Sequence, residues 1–164
     1  MDALEAIKSR HSIRNFDGKP VKKEDIAILV DAGRTAPSAL AVHPWEFVAV
    51  TGRESLTRLS EICDHGKFIK SAGAALVVLC ADTKYFLEDG CASTENILVA
   101  ASALGIGSCW VAGDKKDYAP KILEMLGAPE GFRLVSVIAL GYSAEKVSGV
   151  QKRPLEEVLH WEKF

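Results

Sequence analysis

The chain has 164 residues, 48% of them hydrophobic, enough to fill one domain with a substantial core. Twenty basic side chains stand against 22 acidic ones for a formal charge of -2, which speaks against a general nucleic-acid or membrane-surface protein and leaves room only for small anions at local basic clusters. The four cysteines, Cys63, Cys80, Cys91 and Cys109, lie among apolar residues with no CxxC and no paired His spacing. They read as structural thiols of a reducing compartment rather than as a disulfide framework or a metal site.

The N-terminus, MDALEAIKSR, reads as a helix start without a signal-peptide core, so the expected location is cytoplasmic. Asp2 and Glu5 have the spacing of a capping box, and Leu4 with Ile7 gives a short first helix an apolar face until about Ser9. The next segment, RHSIRNFDGKP, gathers Arg10, His11, Ser12 and Arg14 in a stretch that Asp17-Gly18 and Pro20 mark as non-helical. Taken alone it is either a solvated basic loop or an anion cradle, in which guanidinium groups and a hydroxyl make charge-assisted bonds to phosphate. Ile26, Leu29, Val30 and Gly33 then recur at helical spacing over residues 22–34. The loop TAPSALAVHPW is too apolar for a solvent-facing turn and is expected to be covered, either by the core or by a ligand. Within it, His43 precedes Pro44, which predicts an extended backbone there.

WEFVAVT alternates as a strand with one face buried. A helix is predicted over 54–62, a loop at HGKFIKSAG, and a central strand, covered on both faces, at AALVVLCA. Residues 89–113 carry no charge after Glu95, and the helix they open leaves hardly any polar face, so it should be wholly interior. In a chain this short, part of its cover would come from a second copy. Gly105 and Gly107 end that helix, SCWVAG follows as a strand, a helix runs from about 116 to 126, and RLVSVIALG forms the last long strand. Strands near 45–51, 75–81, 108–112 and 133–141 among helices suggest one domain with a mixed, mostly antiparallel sheet flanked by helices, the α+β class. The tail from about 142 to 164 carries Lys152 and Arg153 and then Leu155, Val158, Leu159, Trp161 and Phe164, so it is expected to wrap a neighbouring subunit.

A nucleophile elbow, a Walker loop, a zinc pattern and a paired-carboxylate signature are missing, and Gly105-Ile106-Gly107 follows a helix where a dinucleotide fingerprint needs a strand. If the chain is an enzyme, its chemistry then belongs to a cofactor rather than to a catalytic side chain. Two basic clusters, an apolar loop and a glycine-bounded strand suit a flat, phosphorylated, aromatic one.

These residues also form a recognisable set. RHSIRNF at 10–16, Pro37-Ser38 with Pro44-Trp45, Asn96 with GIGSCW, LGY at 140–142 and KRPLEEVLH at 152–160 occur in the order of the FMN-dependent nitroreductase family, which the chain resembles over nearly its full length. The resemblance implies an α+β fold in an intertwined homodimer, with FMN at the subunit interface. NADH or NADPH would be the electron donor, and a nitro compound, quinone or other small molecule the acceptor. By position, Arg10, His11, Ser12, Arg14, Lys152 and Arg153 would hold the phosphate and ribityl chain. Pro37, Ser38 and Ala39 would face the ring from the partner subunit, and the backbone at Ala112 and Gly113 would lie near its N5 edge. The family commonly has Asn at the position of Ala41 and Gln at that of His43, so contacts to flavin or acceptor differ here. A dehalogenase-like or other specialised flavin enzyme, or a non-catalytic flavin-binding protein, is the alternative.

Overall fold

A computed structural model of the protein describes residues 1–143 and 151–164. The Asp2 carboxylate accepts the Glu5 N–H at 2.9 Å while Glu5 accepts the Asp2 N–H at 3.1 Å, so a complete capping box opens α1 (Ala3–Ser9). There follow α2 (Lys23–Arg34), β1 (Trp45–Val50), α3 (Arg53–Ile62), β2 (Ala74–Ala81), α4 (Phe86–Ala103), β3 (Gly107–Ala112), α5 (Ala119–Leu126) and β4 (Phe132–Gly141). Among the described residues no helix is long and apolar enough to cross a membrane.

The strands pair in the order β1-β2-β4-β3, every neighbour antiparallel. Among the described residues, the mixed character expected from the sequence is confined to a single parallel bridge, between Ser12 and Ser108. Because side chains alternate along a strand, β2 sends Ala75, Val77 and Leu79 into a core beneath α3 and α5, and Leu76, Val78 and Cys80 into a second core beneath α2 and α4. A sheet clothed on both faces explains why AALVVLCA is apolar throughout. It also corrects β1. Val48 and Val50 join the first core while Trp45 and Phe47 join the second, so both faces of that strand are partly covered, with Glu46 and Ala49 exposed.

On β4 the register shifts where Val78 pairs with Ser136 but Leu79 pairs with Leu134, an extra residue accommodated as a bulge. The bulge brings both Leu134 and Val137 to the α3–α5 side. It also lies beside the exit of β3, where a Cβ added to Gly113 would come within 2.8 Å of the Val135 carbonyl oxygen. Only glycine lets the chain leave β3 that close to its neighbour.

α4 departs from expectation. Its inward face carries polar groups, Asp89, Ser93 and Thr94, with the Thr94 hydroxyl bonded to the Gly90 carbonyl and to Ser136 at 2.8 Å each. Val99 and Ala100 are half-buried and Ala103 is exposed along a groove that Ile7 of α1 also lines, and Leu104 just beyond the helix is exposed as well. The helix is therefore interior on one side only of the single protomer. The same holds for the loop after α2, where Leu40 is 90% exposed and Val42 51%. The expected loop at 65–73 contains a short helical turn, Lys67–Ser71.

Candidate functional site

The basic segment is built into the sheet rather than left in solvent. The Ile13 N–H donates to the Ser108 carbonyl at 2.9 Å and the Asp17 N–H to the Tyr142 carbonyl at 3.0 Å, so residues 12–17 run between the start of β3 and the end of β4. Gly107 permits this, since a Cβ there would meet Ile13 and the Gly141 carbonyl at 3.0 Å. Arg10 closes α1, and its guanidinium lies 3.5 Å from Glu95 of α4.

Two concavities result, one at each end of β3. At the start, Arg10, His11 and Ile13 face Gly107, Ser108 and Ser143. At the end, Arg14 joins Cys109, Ala112, His65, Lys116 and Tyr118. Six strand residues span roughly 17 Å, so the two hollows form a strip that suits an elongated ligand, anionic at one end and flat at the other. At the far end the Tyr118 hydroxyl donates to the Ala112 carbonyl, which holds the Ala112–Gly113 peptide in one orientation. Burial pushes the Tyr118 phenol up to about 12, so it stays a neutral donor across the physiological range.

The cysteines offer no competing chemistry. Burial pushes Cys63 up to about 11 and Cys80 up to about 12, and it also raises Cys91 and Cys109. At Cys109 the charges of Arg14 and Arg10 and the Ser12 hydroxyl pull the other way without overcoming burial. With Cys63, Cys80 and Cys109 buried and only Cys91 half-buried, iodoacetamide at neutral pH should label at most Cys91 quickly, and any turnover should survive. Activity lost in step with one alkylated thiol, followed by mass spectrometry, would instead put a thiolate in the reaction.

Arg10 and His11 thus line the hollow at the start of β3 and Arg14 and Ala112 the one at its end, while Ser12 bridges to Ser108 of the strand and Gly113 follows Ala112. The other candidates do not join them in the single protomer. Ser38 and Ala39, which follow Pro37, are held to the first turn of α4, where the Ala39 N–H and the Ser38 hydroxyl donate to the Asp89 carboxylate. Lys152 and Arg153 are exposed, and Arg153 pairs with Glu157 at 3.2 Å. Among the described residues no hydrogen bond or ion pair joins either to Arg10–Arg14. Of the expected tail, 144–150 lie outside the described residues; from 151 onward every residue is exposed, Trp161 at 80% and Leu155 at 68%.

His65, Lys116, Tyr118 and Asp89 were not singled out from the sequence. Lys116 stands in the charge run DKKD and His65 in a polar loop, patterns that ordinarily mean solvent. At His43 the backbone departs from the extended geometry that a following proline predicts. It has φ +50 despite Pro44, because the Ser38 hydroxyl accepts the His43 N–H at 2.8 Å and holds it out of the extended region.

The fold recurs in known proteins. The family model for the Nitroreductase family matches residues 7–85, and the model described as "Putative TM nitroreductase" matches residues 65–164. A protein of Archaeoglobus fulgidus described as a "Putative NADH dehydrogenase/NAD(P)H nitroreductase" is 39% identical over 153 residues, 88% of this chain and 87% of its own. An NADPH-flavin oxidoreductase of Vibrio harveyi is 25% identical, across 97% of this chain and 73% of its own. Among solved structures, an FMN-dependent nitroreductase of Clostridium difficile superposes with a TM-score of 0.91 at 29% identity, covering 98% of this chain and 99% of that one. One family model over the second half of the chain and a relative alike along nearly all of its length agree with the α+β architecture, and the chain belongs to the nitroreductase family of oxidoreductases.

Proposed function

We propose that the protein is an FMN-dependent NAD(P)H oxidoreductase that acts as a homodimer on a small acceptor such as a nitro compound or a quinone. The observation that supports this reading is the pair of hollows along β3, the one at its start lined by Arg10 and His11 beside the Ser12–Ser108 bridge and the one at its end by Arg14 and Ala112. Its donors fit the cofactor: guanidinium and hydroxyl groups for a phosphate and ribityl chain, an oriented peptide for a ring edge. When bound, FMN supplies the redox chemistry, accepting reducing equivalents from NADH or NADPH and passing them to the acceptor.

The chain's own residues bind and orient. Arg10, His11 and Ser12 grip the phosphate end, and Arg14 reaches toward the ring end. Tyr118, by bonding the Ala112 carbonyl, keeps the Gly113 N–H aimed in one direction, where a fixed donor favours an electron-rich reduced ring. Lys152 and Arg153 complete the phosphate site, and Pro37, Ser38 and Ala39 cover the ring from the partner subunit. The two copies meet along the α1–α4 groove, with the tail laid across the neighbour.

The test is spectroscopic. Purified protein incubated with FMN and desalted should stay yellow, bleach under nitrogen on addition of NADH or NADPH, and recover its colour with menadione or a nitroarene. Protein that remains colourless overturns the reading. Colour that neither nicotinamide bleaches overturns the enzymatic part and leaves a flavin-binding protein.

A further inference from the structure

The turn that joins β3 to α5 carries a cation without a counter-charge. Lys116 is half-buried, and its backbone is fixed on both sides, the N–H donating to the Gly113 carbonyl at 3.2 Å and the carbonyl accepting the Ala119 N–H at 2.9 Å. It lines the hollow at the end of β3, and it lines a second hollow beyond the turn, whose apolar side is Ala119, Pro120, Leu123 and Leu134. The lysine stands on the ridge between the two.

The nearest carboxylate in sequence is already taken. Asp114 is held by the Arg133 guanidinium at 2.8 Å and is only 14% exposed, and Arg133 is itself fixed, since it also reaches Asp82 at 3.3 Å and lies 4.6 Å over the Phe86 ring. Asp64 and Asp117 are exposed, where water and salt screen them, and neither lines the hollow at the end of β3. The basic groups that do line it are Arg14, His65 and Lys116, beside the rings of Phe68, Trp110 and Tyr118. Among the described residues none of the three basic side chains has an ion-pair partner. Basic groups gathered beside aromatic faces, with no carboxylate in the lining, are complementary to a flat ligand that carries an anion.

We infer that Lys116 is a specificity-determining residue for the acceptor and selects one that carries a carboxylate on an aromatic ring. That the ligand is the acceptor rests on the flavin reading above, which gives Arg14 to the cofactor and leaves Lys116 without a role; the preference for an anion rests on the lining alone. A lysine ammonium is a compact point charge. Held on a fixed turn, it attracts the carboxylate without entering the redox chemistry, so its removal weakens binding and spares kcat.

The test compares 4-nitrobenzoate with its neutral analogue 4-nitrobenzamide on wild type, Lys116→Gln and Lys116→Arg. In FMN-loaded wild type without an electron donor, isothermal titration should show tighter binding of 4-nitrobenzoate, and added salt should weaken that ligand alone. Lys116→Gln should raise the 4-nitrobenzoate Kd and KM roughly tenfold, the low end for a hydrogen bond to a charged group since the lysine is only half-buried, while the 4-nitrobenzamide Kd, the FMN Kd and kcat stay within about twofold. Lys116→Arg, which keeps the charge, should restore most of the loss. Equal wild-type affinity for the two analogues overturns the anion preference. A loss in Lys116→Gln that 4-nitrobenzamide shares, or that Lys116→Arg does not restore, makes the lysine a structural residue and overturns its role. A KM that rises for NADPH and not for NADH assigns the charge to the donor's 2′-phosphate, and a tenfold weaker FMN assigns it to the flavin phosphate; either overturns the acceptor assignment. If the wild type takes up no FMN, the proposed function fails, and the same titrations on flavin-free protein still decide whether the hollow prefers an anion.

Discussion

Ala100→Asp is expected to sediment as a folded monomer at micromolar concentration, where the wild type sediments as a dimer. Ala100 and Val99 are half-buried on the outer side of α4, beside exposed Ala103 and against Ile7 of α1. A carboxylate there can keep its water in the isolated protomer, so the fold should tolerate it. In an interface it would be buried without a partner, at a cost of about 3–5 kcal/mol, enough to raise a dissociation constant by two to four orders of magnitude. Circular dichroism separates loss of assembly from loss of fold.

The tail supplies a second arm of the same experiment. Leu155, Val158, Leu159, Trp161 and Phe164 are all exposed in the protomer, and burying each large apolar side chain is worth about 1.5–3 kcal/mol. Truncation before Pro154 should therefore weaken the dimer while leaving the sheet and its two cores intact. A wild-type protein that is monomeric with its tail attached would refute both the assembly and the interface, and the partner-borne half of the flavin site would fall with it.

Where local chemistry decides an element, the sequence was enough to find it. The Asp2–Glu5 box, the spacing of Ile26 and Leu29, and the unbroken apolar run of β2 each have one physical reading, and each element lies within a few residues of its expected place. The strip along β3 was legible only as a list. Arg10, Ser12 and Arg14 could be named from composition and resemblance, but their meeting with Ser108 and Cys109 depends on a parallel bridge to a strand nearly 100 residues away, which no local pattern encodes. The bulge on β4 is equally silent, since Val135 looks like any other core residue of RLVSVIALG.

Asp89 shows the limit most sharply. An acidic residue in the first turn of a helix has an ordinary reading as a partner of the helix dipole, and nothing at positions 86–92 distinguishes a carboxylate facing water from one locked onto a loop fifty residues earlier. The apparent absence of a polar face on α4 misled for a related reason. Asp89, Ser93 and Thr94 point inward beside Ile97, Leu98 and Ala101, while Val99, Ala100 and Ala103 line the outer groove, toward what we propose is the second subunit.

Arg10→Ala should weaken FMN binding by roughly 10- to 150-fold, the equivalent of losing one charge-assisted hydrogen bond of about 1.5–3 kcal/mol. The protein should otherwise stay folded. In the flavin-free protomer Arg10 touches Glu95 at 3.5 Å, and Glu95 is 51% exposed, so this is a partly solvated pair worth about 0–1 kcal/mol whose loss leaves a carboxylate still in water. Added salt should weaken FMN binding to the wild type more than to the variant, since the variant has already lost the screened attraction. Riboflavin, which lacks the phosphate, discriminates between the two roles open to Arg10. A residue that grips phosphate leaves riboflavin affinity unchanged when removed; one that orients β3 or the ring lowers it in parallel with FMN. Lys152→Ala and Arg153→Ala complete the comparison. If the chain ends converge on one phosphate in the dimer, each should weaken FMN and spare riboflavin as Arg10→Ala does, although neither residue meets Arg10 within a protomer. An Arg10→Ala variant that loses FMN and riboflavin equally would remove the phosphate from the start of β3 and break the assignment of both basic clusters.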